Sequence, residues 1–271
     1  MTDRNVVLTE ARLPECSGPD REGFPWCLPV VRRTRALAFD APVTVWVGEN
    51  GSGKSTLLES LALAADVPAA GSADLRVDAS LAHLHAFADA WRLRWTARTR
   101  RGLFLRAEDY FGFVQRLRSD QRDLRAAARA AAASAGDHEG EGRRRAGPYL
   151  GPAMATEARY GGDLDERSHG ESFLAFFRGR LTGPGLYLLD EPEAALSPLR
   201  QLALVNLVLE AVGRGAQFVI ATHAPILMAM PRAAIWCLDA DGLHPTDFDA
   251  IEGVRTMRAF LADPASFLRH L

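Results

Sequence analysis

The sequence predicts an α/β fold with a mainly parallel sheet flanked by helices, on three observations. Short apolar runs rich in β-branched and aromatic residues recur along the chain, most are followed by a helix-like stretch, and a glycine-rich loop joins the first strand to its helix. Strands that alternate with helices pair in parallel, because each helix is the crossover. In chain order, residues 42–47 (PVTVWV) read as a buried strand and residues 55–65, rich in leucine and alanine, as a helix closed by residues 68–72. Residues 185–189 and 216–221 read as further strands, followed by helical patterns at 198–212 and 225–230. A last strand is expected at 233–238.

A different region separates these halves. Residues 74–165 read as an inserted helical lobe within one domain spanning 1–271. It opens with a strand-like run at 102–108, continues as a helix from about residue 109 to 133, and passes into residues 135–162. That last stretch is rich in glycine and charge and is expected to be a mobile loop. Arg118, Arg122, Arg125 and Arg129 fall on one stripe of the helix. The stripe reads either as a solvated face, with Asp120 and Asp123 nearby, or as a contact for a phosphate backbone.

Composition bounds the function without naming it. The chain is long enough for one α/β domain, and 48% apolar residues fill a sizeable core. A net charge of −2 gives no global attraction to nucleic acid. Cys16, Cys27 and Cys237 are odd in number and lack a C-x-x-C spacing, so neither a zinc site nor a disulfide framework is implied. With no basic, apolar leader and no membrane-length apolar run, the chain reads as soluble and cytoplasmic.

The chemistry is carried by a few short motifs. Gly48-Glu49-Asn50-Gly51-Ser52-Gly53-Lys54-Ser55-Thr56 fits the P-loop pattern, in which backbone amides wrap a triphosphate and the lysine reaches the β and γ phosphates. Lys54 is the one lysine in an arginine-rich chain. A compact ammonium fits inside a tight backbone loop where a planar guanidinium fork does not. Strand, glycine loop and helix is also the context the motif needs, since the helix N-terminus supplies amides and positive dipole.

A second motif, Leu186-Tyr187-Leu188-Leu189-Asp190-Glu191-Pro192, is an apolar strand ending in two acids. Asp190 is placed to hold Mg²⁺ together with Ser55, and Glu191 to polarise the attacking water as general base. His223, in Thr222-His223-Ala224 at the end of the following strand, is placed to donate to the γ phosphate. Among the other histidines only His169 has a comparable setting.

In this order the motifs resemble the ATP-binding cassette (ABC) superfamily over about residues 30–240. The match rests on the P-loop, Ser168-His169-Gly170-Glu171-Ser172 before the acid pair, Asp190-Glu191-Pro192, Ala195-Leu196-Ser197 and His223. The resemblance implies ATP and Mg²⁺ as ligands and a head-to-tail dimer that sandwiches two ATPs. Ser168, Gly170 and Glu171 of one subunit would face the γ phosphate held by Lys54 of the other. The chain departs from the family's pattern in two places. His169 replaces the first glycine of the usual signature, and no glutamine follows the middle strand, for which Glu108 is the expected metal- or water-contacting substitute. Phe24 or Trp26 is the candidate to stack on adenine. The phrases Arg106-Ala107-Glu108 and Phe260-Leu261-Ala262-Asp263-Pro264 are similar to those of small soluble bacterial ATPases with AAA-type or ABC-type labels.

The expected function is therefore an ATP-driven clamp or switch acting on nucleic acid or a protein partner. A transporter's nucleotide-binding subunit ranks second, because the altered glutamine segment is the one that couples to a membrane subunit. A small-molecule kinase ranks a distant third, having no use for the Ser168 segment or His223.

Overall fold

The computed structural model describes residues 6–13, 22–70, 75–135, 138–160 and 169–269. The chain divides into two compact units: residues 1–107 with 183–271, and residues 108–182.

The first unit is built on a six-stranded sheet of order β5-β6-β7-β3-β8-β9. Its members are β3 (Val43–Val47), β5 (Gly102–Arg106), β6 (Gly185–Asp190), β7 (Ala216–Ala221), β8 (Ala234–Asp239) and β9 (Gly242–Pro245). All neighbours pair in parallel except β8 and β9, which form an antiparallel hairpin. Every residue of β3, β6 and β7 is buried. Such strands are covered on both faces, which is why they read in the sequence as continuous apolar runs without alternation. Helix α2 (Lys54–Ala65) buries Leu57, Leu58 and Leu61 in the same core.

A second, three-stranded antiparallel sheet of order β2-β1-β4 comprises β1 (Leu8–Arg12), β2 (Ala36–Ala38) and β4 (Arg92–Trp95). The Gln217 side chain ties it to the parallel sheet. Its Oε1 accepts from the amides of Val7 and Leu8 at 3.0 and 2.8 Å, and its Nε2 donates to the Leu8 carbonyl at 2.9 Å. A buried primary amide is thereby satisfied on both its donor and acceptor sides. Before β2 comes α1 (Pro29–Arg33), and α3 (His85–Ala90) precedes β4.

The second unit holds α4 (Ala107–Ala133, from its second residue), α5 (Glu139–Tyr160) and α6 (His169–Arg180). Phe173 and Phe176 pack against Tyr110 of α4, and Phe177, spaced to share their helix face, packs against both phenylalanines. The Tyr110 and Phe173 rings meet edge to face at 4.4 Å. The chain continues in the first unit with α7 (Pro198–Gly213), α8 (Pro225–Met228), α9 (Glu252–Ala262) and α10 (Pro264–Leu268).

The insert expected at 74–165 overlaps the second compact unit, residues 108–182, while residues 75–107 lie in the first unit, where β4 pairs with β1 and β5 with β6. One sequence expectation is corrected. The loop expected at 135–162 contains helix α5. Its glycine and charge serve packing: a Cβ at Gly142 would lie 3.3 Å from the Ala132 carbonyl, so the missing side chain lets α5 approach the end of α4. Arg145 pairs with Glu141 one turn back and donates to the Ser134 carbonyl at 3.1 Å.

Candidate functional site

The phosphate loop sits where the sequence places it, between β3 and α2. Gly48 has φ +153, and a Cβ there would lie 2.3 Å from the Leu238 carbonyl of β8, so only glycine lets the loop leave the sheet at this point. Gly53 caps α2 in the left-handed region at φ 97. Glu49, Asn50 and Gly51 are exposed at the tip, and Ser52, Gly53, Ser55 and Thr56 are half-buried. Lys54 is 4% exposed. Its Nζ donates to the carbonyls of Gly48 at 2.8 Å and Glu49 at 2.9 Å. Two of the three ammonium donors thus hold the loop closed, leaving one for an anion. Burial lowers the pKa of Lys54, while Glu191, Asp190 and Glu193 oppose that shift.

Strand β7 lies between β3 and β6, so the Thr222–His223 turn falls between the phosphate loop and the acid pair. Asp190, the last residue of β6, is 7% exposed and accepts a hydrogen bond from Ser55. Burial pushes its pKa up to about 7, with Glu59 and Glu191 adding to the rise. Its Oδ1 is buried without a hydrogen-bond partner. A carboxylate oxygen so placed, beside a hydroxyl, fits a hard divalent cation. Ser55 and Asp190 would hold that cation.

Glu191 adopts φ 46, ψ 49 immediately before a proline. A non-glycine residue pays for the left-handed region, and proline further disfavours compact backbone at the position before it. The conformation is held by the Glu191 amide donating to the Ala221 carbonyl at 2.9 Å and by the Ala194 amide donating to the Glu191 carbonyl at 3.1 Å. It turns the half-exposed carboxylate toward His223, whose Nε2 lies 3.7 Å from Glu191 Oε1.

Glu193 is the residue that sequence reasoning missed. Its Oε1 accepts from Thr222 Oγ1 at 2.6 Å, from the His223 amide at 2.6 Å and from the Ala224 amide at 3.1 Å. One carboxylate oxygen thereby fastens the histidine turn to the turn carrying the general-base candidate. A third acid, two residues past the pair, was the available signal. Arg106 was also missed. It is 6% exposed at the end of β5, paired in register with Asp190, and its guanidinium reaches Glu59 at 3.2 Å and Asp78 at 2.9 Å.

Other expected site residues are distributed as follows. Glu108 falls in the first turn of α4 and not at a strand end, because β5 stops at Arg106. Gly170 and Glu171 lie in the first turn of α6, Gly170 buried and Glu171 exposed. Ser168 lies outside the described residues. Trp26 is a packing residue, 8% exposed and edge-on to Phe87 at 4.7 Å. Phe24 is 53% exposed, its ring 5.6 Å from that of His83. On α4, Arg122 and Arg129 are exposed and Arg125 is half-buried.

Comparison with known proteins gives a family match over one segment and several similar structures. Residues 171–229 match the family model described as "AAA domain, putative AbiEii toxin, Type IV TA system". No curated protein matches the chain. Among solved structures, the chain is similar to an Smc head domain with an extended coiled coil, bound to the C-terminal domain of ScpA, from Pyrococcus furiosus. That match has 11% identity over 94% of this chain and 99% of the other, with a TM-score of 0.48. It is also similar to an ATP-binding cassette of an ABC transporter in its ADP conformation, at 16% identity over 96% of each chain and a TM-score of 0.47. A third match is cbiO1 from Clostridium perfringens, part of the ABC transporter complex cbiONQ, at 15% identity over 98% and 100%, with a TM-score of 0.47.

The phosphate loop between β3 and α2 and the acid pair ending β6 in the same sheet define the arrangement of a P-loop α/β fold. None of the described helices is long and apolar enough to cross a membrane.

Proposed function

We propose that this chain binds ATP with Mg²⁺ and hydrolyses it in a head-to-tail dimer, as a clamp or switch acting on nucleic acid or a protein partner. The observation that carries the reading is the convergence of Asp190, Glu191 and His223 at the ends of β6 and β7, with Ser55 bonded to Asp190 and Glu191 Oε1 3.7 Å from His223 Nε2. Lys54 keeps the phosphate loop closed and directs its remaining donor at the β and γ phosphates. Ser55 and Asp190 hold Mg²⁺, which when bound neutralises charge on the phosphate oxygens. Glu191, half-exposed, accepts the proton of the attacking water. His223 donates to the γ phosphate from a turn that Glu193 keeps in place. The N-terminus of α6, with Gly170 and Glu171, presents its amides to the nucleotide of the partner subunit, where the helix dipole favours negative charge.

The test is ATP hydrolysis by the purified chain, with and without double-stranded DNA. Stimulation by DNA supports the nucleic-acid branch, and an ATPase indifferent to DNA supports the protein-partner branch. A chain that neither binds nor hydrolyses Mg²⁺-ATP contradicts the reading.

A further inference from the structure

The β8–β9 hairpin gathers three metal-ligating side chains that the ATPase chemistry leaves unused. Cys237 of β8 and His244 of β9 are direct cross-strand partners, and Asp239, two residues beyond Cys237, shares its strand face. The ligand atoms of Cys237, Asp239 and His244 all lie within 4.8 Å of one another. His244 Nε2 is 2.8 Å from Asp239 Oδ2, and Cys237 Sγ is 4.0 Å from the same oxygen. Ligands about 2.0–2.3 Å from a tetrahedral zinc are separated from one another by roughly 3.3–3.8 Å, so small rotations of side chains that are at least partly exposed bring all three onto one ion.

The groups around these ligands already orient them. Asp239 Oδ1 accepts the Asp241 amide at 2.8 Å, which turns Oδ2 toward the histidine and the thiol. Without an ion, His244 Nε2 donates to Asp239 Oδ2 at 2.8 Å; a bound cation would take the place of that proton, while Nδ1, 3.4 Å from the Pro245 carbonyl, keeps a proton to donate there. Arg33 pairs with Asp241 at 2.6 Å, and Thr34 Oγ1 accepts the Leu243 amide at 3.1 Å, so the hairpin is braced against the end of α1.

We propose that Cys237, Asp239 and His244 form a binding site for a thiolate- and imidazole-preferring divalent cation of the zinc class, separate from the Mg²⁺ of the nucleotide site. A sulfur, nitrogen and oxygen donor set selects zinc or cobalt over magnesium, which takes oxygen ligands. Three protein ligands leave a fourth position open to water. Binding releases the thiol proton and any proton on the imidazole to solvent, so cation affinity rises with pH. The site adjoins the phosphate loop: Cys237 is the register partner of Val47, the last residue of β3, and the Leu238 carbonyl abuts Gly48. An ion there braces the strand on which the loop leans. The proposal does not depend on the chain hydrolysing ATP.

The test uses cobalt(II) as an optical probe on the full chain without nucleotide. The expected result is a thiolate-to-cobalt charge-transfer band together with intense visible bands of a tetrahedral ion, both abolished by stoichiometric zinc and unaffected by excess magnesium. Cys237→Ser should remove the charge-transfer band, and Cys27→Ser, which alters the exposed thiol elsewhere, should leave it intact. His244→Ala should weaken zinc binding by at least the roughly 10- to 100-fold that loss of even an outer partner costs. Circular dichroism on each variant establishes that it is folded. No charge-transfer band in the parent, or a band that survives Cys237→Ser, overturns the assignment.

Discussion

Replacing Asp190 with asparagine should stabilise the metal-free protein at alkaline pH. The carboxyl of Asp190 is 7% exposed, and burial lifts its pKa from 3.8 to about 7. A group whose folded-state pKa is raised contributes stability that is fully present below its unfolded value and is lost as pH rises through the folded one. The loss therefore begins near 3.8 and is complete above about 7. The gap between those values, at ~1.4 kcal/mol per pH unit, sets a ceiling of ~4 kcal/mol on the penalty of keeping this carboxylate ionised without its cation. Asparagine carries no charge at any pH and keeps an oxygen to accept from Ser55. The assay is chemical denaturation of parent and variant in a chelator across the acid to alkaline range, read as the difference between the two. That difference should be small at about pH 4 and should grow to as much as ~4 kcal/mol in favour of the variant at about pH 8. Added Mg²⁺-ATP should then stabilise the parent and not the variant. A difference that stays flat with pH refutes the argument that a buried, cation-seeking carboxylate ends β6.

Three further outcomes test other parts of the account. Glu193→Ala should lower kcat for ATP with a smaller change in KM, because charged hydrogen bonds worth about 1.5–3 kcal/mol each hold the histidine turn. Glu193→Gln, which keeps an acceptor oxygen, should recover part of that loss, and parent kinetics in the alanine variant would count against the positioning role. Arg106→Ala should destabilise the fold by up to about 3–5 kcal/mol in thermal or chemical denaturation, since it removes a buried guanidinium that pairs with both Glu59 and Asp78. Changing Arg118, Arg122, Arg125 and Arg129 together to alanine should abolish any stimulation of the ATPase by double-stranded DNA, and stimulation that survives would assign the stripe to a solvated face.

The elements that build the candidate site were legible because local chemistry dictates them. The strand at 43–47 has no polar alternation to mislead, Gly48 and Gly53 occupy backbone conformations that L side chains rarely adopt, and Leu57, Leu58 and Leu61 turn one helix face inward. What could not be read is non-local. Gln217 reaches Leu8 across 209 residues, and Arg106 meets Glu59 and Asp78 across 47 and 28. No window of sequence contains both partners. Helix α5 was misread for another reason. Glycine, proline and charge are loop signals in isolation, whereas here Gly142 permits close helix packing and Arg145 ties α5 to the end of α4. Cys237 and His244 looked solitary in the sequence because their proximity depends on the register of a hairpin whose second strand, β9, was not anticipated.

The most direct measurement of the central claim compares parent protein and Glu191→Gln for ATP binding, steady-state hydrolysis and oligomeric state by size-exclusion chromatography with Mg²⁺-ATP. The account predicts that the variant binds ATP, hydrolyses it at a small fraction of the parent rate, and accumulates as a dimer that the parent forms only transiently. Hydrolysis by Glu191→Gln at the parent rate would contradict it.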